Sequence, residues 1–195
     1  MAWDDAVWKP TAAMAGRLYQ AITGFDPASG GEGPGTYPAE GQAYLNRMGL
    51  DLGQQVPDGI VPVALDHTRP ELLRWAIEQF GGAGLQLALP LAWQDVIARG
   101  DTVLDVPAEG LDSDAGRPNG WGGHEVACGR YDAAGRLFLI SWGAEYVLPP
   151  AAATAYCIGA EAAWSRSWIS TMGRTPLDVD AVAALAEIEG EALAA

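Results

Sequence analysis

GGHEVACGRYDAAGRLFLISWG, residues 122–143, is the stretch whose reading decides the fold. Two glycines precede His124, so the imidazole opens a strand at a sheet end, where small residues let another element approach. Val126 and Cys128 alternate behind it, and His124 to Tyr131 reads as one strand. Asp132-Ala133-Ala134-Gly135 is a four-residue hairpin connection, and Arg136 to Trp142 is the returning strand. That hairpin brings Ser141 and Trp142 back to the level of His124.

Outward from the hairpin, helices come first and strands second. Thr11 to Thr23 is a helix with Met14, Leu18 and Ile22 at helical spacing and Gly24 as its stop. Pro38 to Met48 is a second, and Gly49 to Pro62 an irregular stretch. Arg69 to Phe80 is the clearest helix, with Pro70 in its first turn and Leu73, Ala76, Ile77 and Phe80 as its apolar stripe. Leu85, Leu87 and Leu89 alternate as a strand, and residues 91–99 form a short helix. Pro149 to Cys157 is expected to be helical and Glu161 to Trp164 a strand. Leu177 to Leu193 is an acidic, Ala-rich helix. The order predicts an α+β fold: residues 1–175 as one domain, and 176–195 as a C-terminal helix packed on the body or on a partner.

Composition narrows the function classes. The 195 residues are 49% hydrophobic and 18% charged, a globular balance. The net charge of −14, with Lys9 the single lysine, repels phosphate backbones and anionic headgroups, which argues against nucleic-acid and membrane-surface roles. No apolar run approaches a membrane span, and the acidic start Met1-Ala2-Trp3-Asp4-Asp5 is unlike a secretory signal. Two cysteines, Cys128 and Cys157, make no disulfide framework. Asp112-Ser113-Asp114 lacks the Gly and distal Glu of a calcium loop, and no metal or cofactor site is expected.

Gly122-Gly123-His124, Gly129-Arg130-Tyr131-Asp132 and Ile140-Ser141-Trp142-Gly143 together resemble the papain-like cysteine peptidase superfamily, with its Gly-His strand, Gly-Tyr-Asp turn and Asn-Ser-Trp-Gly segment. Tyr19 to Pro27, Phe80-Gly81-Gly82 and Gly122-Gly123-His124 are most similar to papain-like proteins of tailed phages and prophages, over about residues 12–170. The resemblance implies a papain-like fold with His124 in the general-base position. Ile140 stands where the family has the Asn that orients the imidazole, and Ser141 takes that role if the register slips by one. No cysteine precedes Cys128, so the nucleophile is missing: either its segment lies upstream, or Pro10 or Thr11 stands in its place. Cys128, four residues from His124 on one strand, is about 13 Å away.

The implied function is therefore a catalytically degenerate papain-like protein with a structural or binding role among other protein subunits. The phage resemblance makes it a virion component (decoration, minor capsid or tail-associated), placed in the virion or host cytoplasm. Trp121 and Trp142 beside the His strand are the binding candidates, with packing as their plainer role. Two alternatives stand beside it: a peptidase or amidase using His124 with Cys157 or a cysteine from another chain, and a peptide-binding module that keeps the cleft.

Overall fold

A computed structural model of the chain describes residues 12–30, 33–48 and 60–165. They fall in two compact units, divided at Ile60. In the first unit, α1 (Ala12–Thr23) and α2 (Pro38–Met48) are joined through a 3-10 turn at Pro27–Ser29. The Tyr19 ring meets Phe25 edge-on at 6.0 Å, and its hydroxyl accepts the Gly35 N–H at 2.9 Å, which ties the connection back to α1.

The second unit is α+β. Its elements are β1 (Ile60–Leu65), α3 (Pro70–Phe80), β2 (Ala83–Leu89), α4 (Ala92–Ala98), β3 (Gly122–Tyr131), β4 (Leu137–Ser141), β5 (Ala144–Leu148), α5 (Pro150–Tyr156) and β6 (Cys157–Ser165). The six strands form one sheet in the order β1-β6-β2-β3-β4-β5. The β2–β3, β2–β6, β3–β4 and β4–β5 pairings are antiparallel. Among the described residues no helix is long and apolar enough to cross a membrane. The predicted acidic helix 177–193 lies outside the described residues.

Helix α3 forms for the reasons its sequence offers. Pro70 occupies its first turn, where a missing N–H costs nothing, and Gly81 ends it in the left-handed conformation at φ 79°, returning its N–H to the Ile77 carbonyl. Leu73, Ala76 and Ile77 are buried in one core with Leu85, Leu87, Leu89, Val126, Cys128, Leu139 and Tyr146. Trp93 of α4 sits in the same core, 5.0 Å edge-on from Tyr156, and donates its indole N–H to the Asp105 carbonyl at 2.8 Å. The Tyr156 hydroxyl donates to the Gly116 carbonyl at 2.8 Å, so two buried aromatics anchor the long loop before β3.

Three elements differ from expectation. The irregular stretch 49–62 ends in strand: β1 begins at Ile60 and includes Pro62, which an outermost strand tolerates because one row of its N–H groups has no ladder partner. Ala144–Leu148 is a strand that periodicity did not predict. The last strand begins at Cys157 rather than Glu161, immediately after α5.

Candidate functional site

His124 lies near the start of β3, opposite Leu87 of β2. The entry to the strand depends on Gly122, whose φ of 135° side-chain-bearing residues rarely adopt. A Cβ added at Gly122 or Gly123 would meet nothing within 4 Å, so among the described residues neither glycine serves the close approach of another element, and only Gly122 has a backbone conformation that favours glycine.

The partner of His124 is set by one extra residue. Tyr131 pairs with Leu137 and Arg130 with Phe138, but Cys128 pairs with Leu139 and Ala127 with Ile140. Gly129 is therefore bulged out of the ladder. In a regular hairpin counted from that turn, His124 and Ile140 would share a face; the bulge offsets the alternation by one. Ile140 consequently points to the opposite face and is 53% exposed, while Ser141 shares the face of His124. His124 Nε2 and Ser141 Oγ lie 2.7 Å apart in a hydrogen bond whose donor depends on the imidazole tautomer.

Aromatic rings complete the site. The Trp142 ring stacks on His124 with centroids 4.6 Å apart and 13° between planes, and stacks on Trp121 at 5.4 Å and 14°. Tyr146 meets Trp142 edge-on at 5.7 Å. Trp142 and Gly143 are the two loop residues between the paired Ser141 and Ala144, at φ 47° and 77°. Both central residues of a type I′ hairpin turn require positive φ, which suits Asn-Gly far better than Trp-Gly. The bulky side chain is held in a conformation that costs about 1–3 kcal/mol, and the stacking it makes with His124 and Trp121 offsets that cost. Burial lowers the imidazole pKa below its ordinary value, favouring the neutral ring.

Neither thiol meets the imidazole. Cys128 is fully buried on the same face as His124, and unbroken β2 pairing keeps the four-residue separation extended, about 13 Å along the strand. Burial pushes its thiol up to about 11, and Sγ donates to the Arg130 carbonyl at 3.7 Å. Cys157 pairs with Leu87 from the other side, so it and His124 flank the same β2 residue, with backbones about 9–10 Å apart by two strand spacings. Its pKa is also raised by burial, and Sγ donates to the Gly159 carbonyl at 3.3 Å. Both environments disfavour the thiolate that nucleophilic cysteine chemistry needs. Pro10 and Thr11 lie outside the described residues.

The opposite face of the same strands carries a second ionisable group that sequence pattern did not single out. Glu125, on β3, and Glu161, on β6, converge over Gly84: a Cβ there would lie 3.2 Å from Glu125 Oε1 and 3.0 Å from Glu161 Cγ. Burial first, then the charge of Glu161 and a hydrogen bond shared with it, push Glu125 up to about 7. The legible signal was the glycine inside β2, which marks a place where neighbours close in. Among the described residues, no three His, Cys, Asp or Glu side chains converge as a metal site would require.

No family model, no curated protein and no solved structure matches this chain.

Proposed function

We propose that this chain is a catalytically inactive papain-like protein whose His124 end serves a structural or binding role, in an assembly with other protein subunits such as a phage particle. The observation that carries the reading is the state of His124. Its imidazole is hydrogen-bonded to Ser141 and stacked on Trp142 with its pKa lowered by burial, while Cys128 is buried, Cys157 half-buried, and both thiol pKa values are raised. A general base without a nucleophile can still bind: Nε2 and the Ser141 hydroxyl form a polar pair beside the half-exposed Trp142 ring, which suits a peptide contact.

A second reading rests on the same 2.7 Å contact. A hydroxyl hydrogen-bonded to an imidazole is also the geometry of a Ser–His nucleophile and base. Among the described residues no group hydrogen-bonds Nδ1 to orient the ring, which favours the inactive reading.

Exposure of the full chain to a thiol-directed epoxide and a serine-directed fluorophosphonate separates the readings. The proposal expects no covalent label on Cys157, Cys128 or Ser141. A label on either cysteine that disappears in His124→Ala would establish a cysteine enzyme, and a His124-dependent label on Ser141 a serine enzyme. Labelling that appears only on mixing with a second protein would reveal a nucleophile supplied in trans.

A further inference from the structure

Away from His124, a cavity of about 180 Å³ opens between the N-terminal turn of α3, helix α5 and the sheet. The buried side chains of Leu73 and Leu137 line it, and Arg74, His67, Thr68, Thr154 and Cys157 supply its polar edge. Arg74 is unusual in this acidic chain. Its two acidic neighbours on α3 each hydrogen-bond another group, Glu71 accepting from Arg69 Nε at 2.8 Å and Glu78 from the Tyr131 hydroxyl, while the Glu71 carboxylate still feels the Arg74 charge. Arg74 makes no ion pair among the described residues, and its guanidinium lies 5.8 Å over the Tyr131 ring. An apolar cavity rimmed by a guanidinium that makes no ion pair among the described residues complements a ligand with an apolar body and one anionic end. A dry cavity of about 150 Å³ holds a benzene ring, so this one suits a body of about six to eight carbons.

We propose that this cavity binds small organic monocarboxylates, the alkyl or aryl body lying on Leu73 and Leu137 and the carboxylate meeting Arg74. The site is separate from His124 and stands whether or not the reading of that residue holds. Cys157 makes it readable, because a bound body covers its thiol.

The test follows alkylation of Cys157 by iodoacetamide in the full chain, by peptide mass spectrometry, with millimolar octanoate or 1-octanol as probe. Octanoate is expected to slow Cys157 alkylation and leave the buried Cys128 unaffected, and to protect at about fivefold lower concentration than the alcohol, as one exposed charge pair provides. Arg74→Gln is expected to erase the difference between the two probes. Ala153→Phe, which fills the cavity from α5, is expected to make the remaining rate independent of either; Thr154→Trp does the same if that variant does not fold. Absence of protection by octanoate, equal protection by octanol in the unsubstituted chain, or an octanoate preference that survives Arg74→Gln would overturn the proposal.

Discussion

The two faces of β3 show how one strand holds two neighbouring ionisable groups in opposite ways. His124 points to the face of Val126 and Cys128, where burial lowers its pKa and keeps it uncharged. Glu125, the next residue, points to the other face, where burial and Glu161 raise its pKa to about 7. Desolvation acts on both, and the opposite signs follow because it penalises charge, which is the protonated form of one group and the deprotonated form of the other. The inner face is organised by packing, and on the outer face Glu125 and Glu161 lie close together over Gly84.

The comparison breaks hardest where the core is cut. Leu87 is 1% exposed and lies between His124 and Cys157, and Leu87→Ala should cost about 2–5 kcal/mol in urea unfolding. Ile140→Ala, on the outer face, should stay within about 0.5 kcal/mol. Equal losses would mean that the faces are misassigned. Ser141→Ala removes the partner of the half-buried imidazole and should cost about 1 kcal/mol by the same measurement.

Trp142→Asn sharpens the inner half. Asn suits the turn but cannot stack, so the His124 titration followed by NMR should move up towards 6.5 as the ring gains water. The smallest effect is the pH slope. A group with a raised folded pKa adds stability at low pH that is lost as pH rises, so Glu125 contributes a decline between about 4.5 and about 7. His124, with a lowered folded pKa, contributes the reverse: stability present above 6.5 and lost as pH falls. Glu125→Gln should therefore leave stability rising with pH across that window, and an unchanged slope would remove the carboxyl pair from the account.

Much of this architecture was legible because periodicity and punctuation agree. Pro70, the Leu73–Ala76–Ile77 stripe and Gly81 delimit α3, and Leu85, Leu87 and Leu89 delimit β2. The misses have physical causes. Pro62 reads as a breaker and is tolerated because β1 is outermost in the sheet. Strand β5 hid behind a two-residue turn whose first residue is Trp and not Asn. At the site, His124 and Trp142 stood out by type and spacing, yet which of Ile140 and Ser141 reaches the imidazole depended on the bulge at Gly129, a one-residue offset that the alternation of either strand alone does not reveal. The Glu125–Glu161 pair joins strands far apart in sequence, so only the sheet order brings it together.

The proposed papain-like base position without a thiolate is tested most directly by the pH dependence of cysteine alkylation in the full chain, compared with His124→Ala. The account predicts slow reaction at both Cys128 and Cys157, rates that rise only on the alkaline side as ordinary or raised thiol pKa values require, and profiles unchanged by His124→Ala. A thiol that reacts rapidly below about pH 7, and loses that reactivity in His124→Ala, would be a thiolate–imidazolium pair and would contradict it.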